Sequence, residues 1–182
     1  MRKTLLVAGL ALASSAAFAA TDPNSPTVMS NFNYDYAEAR IGMSPVTFGG
    51  AFSKSVHPNA HAIVRVDSEF DSDYNMAAGF GFHAPINNWA DMTGEMLARV
   101  IDTKHTDSEI GMELNFGVRQ WLGPQLEVGG KIGYVEVDDQ DDVVGTVFAR
   151  FHSTELFSVG VEGVFNDLYD DEQVMFTTRF KL

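Results

Sequence analysis

The residues of this 182-residue chain best suited to chemistry are charged side chains that recur beside apolar ones. Arg40, Arg65, Arg99, Arg119, Arg150 and Arg179 are accompanied by Lys131 and by Glu38, Asp67, Glu95, Glu113 and Glu162. Guanidinium and carboxylate groups gathered away from water can pair bidentately, and either one left alone there is costly to desolvate. A second set is the five histidines, His57, His61, His83, His105 and His152. Hydrolysis needs a base held on a nucleophile or a water. His105 has Asp102, Asp107 and Asp71 as candidate partners, yet no spacing enforces the contact. An enzyme is therefore not expected, and a hydrolase using His105 is the weakest of the functional readings. The third set is acidic: Asp71 and Asp73; Asp138, Asp139, Asp141 and Asp142; Asp170, Asp171 and Glu172. Oxygen ligands suit Ca²⁺ and Mg²⁺, but none of these runs has the offsets of a dedicated calcium loop. Asp138, Asp139, Asp141 and Asp142 are expected to form at most a weak divalent-cation rim, and no cofactor is expected.

These side chains are positioned by a repeating pattern that is clearest from Glu109 to Arg119. Ile110, Met112, Leu114, Phe116 and Val118 alternate there with Glu109, Gly111, Glu113, Asn115, Gly117 and Arg119. A period of two describes a strand with one greasy and one polar face. The same rhythm marks strands near 33–43, 47–56, 61–69, 74–84, 90–101, 126–137, 143–152, 156–165 and 173–182, separated by turn residues. Ten segments of this length predict an all-β fold, a transmembrane antiparallel up-and-down β-barrel, with eight strands as the alternative.

The direction of the two faces follows from where the charges fall. All six of these arginines lie in the polar sets, which are also rich in glycine: Gly79, Gly81, Gly111, Gly117, Gly129, Gly133 and Gly160. Small residues beside long ones are what a narrow lumen needs. A charge on a lipid-facing position costs about 2–4 kcal/mol near mid-bilayer. The apolar sets are nearly free of charge, so they are expected to face hydrocarbon, and the charged sets to form a lumen network. A lipocalin-like cup with the faces reversed is the competing fold.

Processing and composition agree with export. Arg2 and Lys3, the apolar run Leu5–Ala13 and Ala17-Phe18-Ala19 form a signal peptide over residues 1–19. Residues 20–31, with two prolines, are expected to be a flexible periplasmic lead-in, and residues 32–182 the barrel. The formal net charge of −13 argues against nucleic acid and against adhesion to anionic headgroups. Without cysteine there is neither a disulfide nor a lipoprotein anchor. A closed barrel is the remaining membrane solution, because open sheet edges are not satisfied in lipid. With a periplasmic N-terminus, the turns around His57-Pro58, Pro85–Asn88, Leu122–Gln125 and Ser153–Glu155 lie inside, and the acidic connections outside. Trp89 and Trp121 then sit beside inner turns, at the expected aromatic belt.

Several short stretches carry a family resemblance: Tyr34-Asp35-Tyr36-Ala37-Glu38, His57-Pro58-Asn59, Ala84-Pro85 and Gly123-Pro124-Gln125-Leu126-Glu127-Val128. On them the chain resembles the small outer-membrane β-barrel proteins of Gram-negative bacteria, broadly OmpA-like, including the set once described as a diffusible quorum factor. The resemblance implies insertion by the outer-membrane assembly machinery, which reads an aromatic final strand. Phe176 and Phe180 fit, while Leu182 stands where a terminal Phe is usual. The resulting expectation is a monomeric barrel among outer-membrane lipids, including lipopolysaccharide, with a structural or envelope-interaction role. A narrow small-solute channel is the alternative.

Overall fold

The computed structural model describes residues 30–43, 46–69, 74–103, 106–138, 140–165 and 172–182. Ten strands follow in order: β1 (Tyr36–Met43), β2 (Val46–His57), β3 (Ala60–Ser68), β4 (Tyr74–Asn87), β5 (Ala90–Thr103), β6 (Thr106–Trp121), β7 (Leu126–Val137), β8 (Gln140–His152), β9 (Phe157–Phe165) and β10 (Glu172–Lys181). Each pairs antiparallel with its sequence neighbours, and β1 pairs with β10, so the sheet closes on itself. Ten strands, not eight, make the barrel. Its closing seam sets Glu38 opposite Arg179 and Ile41 opposite Phe176, which keeps polar with polar and apolar with apolar across the join.

The alternation fixes which side of the wall each residue occupies. Ile110, Met112, Leu114 and Phe116 are exposed on the outside, while Glu113 and Asn115 between them are buried within. Phe48, Phe80, Val147, Val161 and Phe180 continue the outer apolar surface around the ring. The cup with reversed faces is thereby excluded. Pro85, which cannot donate to a ladder, lies at the irregularity between Pro85 and Asn87 near the end of β4. Glycine is required where inner side chains cross the wall of a neighbouring strand. A Cβ on Gly81 would overlap the His61 ring, and one on Gly49 would overlap the Asp67 carboxylate.

The interior differs from the sequence expectation in two places. First, β1 starts at Tyr36 rather than near Asn33, and Ser30–Asp35 turns into the mouth of the barrel. Ser30 and Asn31 are thus held contacts and not part of a loose lead-in: Asn31 Nδ2 donates to the Asn88 carbonyl at 2.8 Å. Second, one side of the far end of the lumen is apolar. Ile101, Val135, Val137 and Val144 form a buried cluster, with Val164 packed against it. These residues occupy inward positions that the charge pattern left unremarked.

Candidate functional site

The lumen is a stack of charged groups delivered by the inward positions of β1, β3 and β5 to β10. In the middle, Arg40 of β1 reaches carboxylates on three strands: Glu38 at 3.3 Å, Asp67 at 3.1 Å and Glu162 at 3.0 Å. Glu38 also receives Arg150 at 3.1 Å and Arg179 at 2.7 Å. The Arg179 guanidinium lies 3.5 Å from the centroid of the Tyr36 ring, a cation–π contact. Towards the far end, Arg65 contacts Asp67 at 3.7 Å and Glu113 at 3.2 Å, and Arg99 contacts Glu113 at 3.6 Å. Lys131 pairs with Glu95 at 3.1 Å, and Asn115 donates to both Glu95 and Glu113. All twelve charged residues singled out from the sequence therefore face the lumen, and each contacts an opposite charge within 4 Å.

One member was overlooked. Glu127, fully buried, binds Arg119 at 2.7 Å, Arg150 at 3.6 Å and His152 Nε2 at 2.9 Å. Its place on the polar face of β7 was a sufficient signal. Through Glu127 the ion pairs run unbroken from one end of the barrel to the other: Arg119, Glu127, Arg150, Glu38, Arg40, Asp67, Arg65, Glu113 and Arg99. In a site screened from water this continuity matters, because removing one member leaves its partners charged and buried.

The end that carries Ser30 and Leu182 is closed by the chain itself. Phe32 stacks on Trp121 with ring centroids 5.4 Å apart, and Tyr34 stacks on His83 at 3.8 Å and on His61 at 4.8 Å. The Arg119 guanidinium lies 4.8 Å from the centroid of the Phe32 ring and 4.7 Å from that of Tyr34. Tyr34 donates its hydroxyl to Asp91 at 2.8 Å, and Ser30 donates to the same carboxylate. Burial first, and the Asp91 carboxylate second, hold the Tyr34 phenol well above its ordinary range, against the lowering effect of Arg119. Beside the plug, partial burial would raise Asp35, but hydrogen bonds from Lys54 and Ser55 outweigh it and bring the carboxyl to about 2. Trp121 is consequently a lumen residue, packed against Phe32 and His152, and not part of an interfacial belt. Its odd-numbered place after Arg119 on β6 puts it on the inner face. Trp89 is 56% exposed.

The remaining candidates separate in space. His57 is exposed by its turn, while His61, His83 and His152 face inward at the plugged end. His105, Asp71, Asp73, Asp139, Asp170 and Asp171 lie outside the described residues, as does the Asp107 side chain. Asp138 occupies the turn after β7 with φ of 53°, and Asp141 and Asp142 follow on β8. Among the described residues no group of three or more His, Asp or Glu side chains is arranged to hold a metal ion.

Among the described residues the lumen holds a larger and a smaller cavity. The larger, about 200 Å³, opens at the end away from the plug and is lined by Thr47, Asn75, Arg99, Ile101, Val144 and Gln173 among others. The smaller, about 90 Å³, lies above Tyr34 beside Tyr36, Glu95, Lys131 and Phe148. Arg40, Arg65, Thr146 and Glu162 line both, so this charged layer is the partition between them.

No protein-family model and no curated protein matches the chain. Among solved structures, the KdgM porin superposes with a TM-score of 0.53 at 9% identity, over 81% of this chain and 99% of that one. The chain shares the porin's fold. A second structure, the KdgM porin in complex with disordered oligogalacturonate, aligns equally well. At this identity the likeness concerns the path of the wall and not its side chains. The partition and plug described above are properties of this chain's own residues.

Proposed function

We propose that this protein is an outer-membrane β-barrel whose lumen is locked by ion pairs, a structural component of the cell envelope and not a constitutively open pore. The observation that carries the reading is Arg40, held in mid-lumen by carboxylates from β1, β3 and β9. Arg40 and these carboxylates stand with Arg65 and Thr146 in the layer that separates the two cavities. The apolar exterior supports the membrane placement: hydrocarbon is the solvent in which exposed Ile110, Met112, Phe116, Val147 and Phe180 are at their lowest free energy. In that setting the end bearing the plug faces the periplasm, and Asp138, Asp141 and Asp142 face lipopolysaccharide, whose phosphates share divalent ions with them. Insertion by the outer-membrane assembly machinery through Phe176 and Phe180 of β10 completes the proposal.

A narrow small-solute channel is the second reading, favoured by the porin fold and by the polar cavity of about 200 Å³ at the far end. Planar-bilayer recording of the refolded protein separates the two. A locked lumen gives a baseline without unitary steps; discrete steps in the unmodified protein would replace that reading with the channel. Fractionation tests the location, since a folded barrel in the outer membrane changes its gel mobility on heating.

A further inference from the structure

The segment that closes the inner mouth is seated on atoms it does not satisfy. His61, His83 and Asp91 are 4%, 7% and 0% exposed, and His61 Nδ1, His83 Nδ1 and Asp91 Oδ1 have no hydrogen-bond partner. Tyr34 covers both imidazoles with its ring, and an aromatic face offers neither nitrogen a normal hydrogen bond. Each orphaned atom is stripped of water without compensation, a penalty that vanishes if the cover moves away. The barrel does not need the cover. Its seam closes from Tyr36 onward, and the contacts of Arg119 Nε and Nη2 with Glu127 Oε1 involve neither Phe32 nor Tyr34.

Besides the ring stacks and the Arg119 contacts, the segment is attached by hydrogen bonds, among them those that Asp35 accepts from Lys54 and Ser55 at its junction with the wall. Asp91 receives Ser30 and Tyr34, the Asn88 carbonyl receives Asn31, and Ser53 Oγ donates to the Tyr34 carbonyl at 2.6 Å. Leu182 N donates to the Asp35 carbonyl at 3.1 Å, which marks where the segment joins the wall.

From this geometry we infer that Ser30–Asp35 is a detachable plug that admits solvent and small solutes to the inner chamber of about 90 Å³ when it leaves. The inference rests on the locked-barrel reading and deepens it. The plug is the inner of two closures in series, and the Arg40 partition is the outer. Release of the plug alone therefore wets the chamber without opening a path through the wall.

Ser53 reports the movement, because it is fully buried beneath the Tyr34 backbone, whereas Ser55 on the same strand is exposed. The full chain contains no cysteine, so Ser53→Cys and Ser55→Cys each carry one thiol. Both are refolded and reacted with a charged, water-soluble thiol reagent, with heat-modifiable mobility confirming a closed barrel in every sample. A plug that opens and recloses gives complete labelling of Ser53→Cys at a rate well below that of Ser55→Cys. Adding Tyr34→Ala or Phe32→Ala raises that rate at least tenfold. Adding His61→Phe, which keeps a ring against Tyr34 and removes an orphaned nitrogen, lowers it by about fivefold, the worth of one uncompensated polar group. The inference is overturned if Ser53→Cys stays unlabelled while the Tyr34→Ala background labels, because the plug is then fixed. It is equally overturned if neither plug variant changes the rate, or if His61→Phe leaves it unchanged or raises it. Loss of heat-modifiable mobility in the parent protein would instead count against the barrel reading itself.

Discussion

The two ends of the lumen solve the same problem with different chemistry. At the plugged end, aromatic rings, imidazoles and a guanidinium stack on one another, and Asp91 and Glu127 draw the polar hydrogens inward. At the far end, Ile101, Val135, Val137 and Val144 fill the wall side by side, and a cavity is left between them and the charged partition. Stacked polar groups are held by direction and charge, so each contact depends on a particular partner. Aliphatic packing is non-directional and scales with buried area. The difference predicts that the plugged end and the central charges respond sharply to single substitutions, whereas the apolar end responds in small steps.

Arg40→Ala should have the largest effect. It takes a cation from Glu38, Asp67 and Glu162 at once, leaving Arg150 and Arg179 to Glu38 and a longer contact with Arg65 to Asp67, and breaking a buried pair costs about 3–5 kcal/mol. The fall in urea midpoint of the barrel refolded into vesicles reads it. Glu127→Ala is the counterpart at the plugged end and should approach the same loss, since Arg119 and Arg150 lose a shared anion. If the second substitution proved neutral, the two halves of the network would be independent and not one chain of charges.

A charge placed on the outer wall comes next. Phe116→Arg, at a position 69% exposed, should destabilise the barrel in a bilayer by about 2–4 kcal/mol and far less in urea-free detergent, where the side chain finds water. The same loss in both media would contradict a lipid-facing surface. Ile101→Val, in the apolar end, should cost only about 0.5–1.5 kcal/mol. A loss comparable with Arg40→Ala would erase the proposed contrast between the ends.

The smallest effect belongs to Asp35. Its carboxyl is depressed from 3.8 to about 2, so its pair with Lys54 stabilises the fold above the ordinary carboxylate range and is lost as pH falls through about 2. Because both side chains meet solvent, the contribution is under about 1 kcal/mol. Lys54→Ala should flatten the stability profile between pH 4 and pH 2 by no more than that amount, measured by denaturant titration.

Strand count, the faces of the wall and the charged content of the lumen were legible because period two is a local property. Knowing that Glu113 and Arg119 share parity with Asn115 places all three indoors without knowledge of any other strand. Trp121 obeys the same rule: its parity with Arg119 places it indoors, although its nearness to a turn suggests an interfacial belt. Ser30–Asp35 was not legible. A segment with turn residues and no alternation reads as a loose lead-in, and the rings that receive Phe32 and Tyr34 come from three separate strands.

By itself the amino-acid order determined that ten amphipathic strands must present one oily and one polar surface, and which residues belong to each. Tertiary structure alone decided the partners: Arg40 meets Glu162, 122 positions away, only because ring closure leaves β10 alone between β1 and β9 and strand stagger sets their inward side chains at one height. Alternation is dictated by the geometry of a single strand. Pairing across a lumen depends on the height of every strand at once, and no short stretch of chain encodes that.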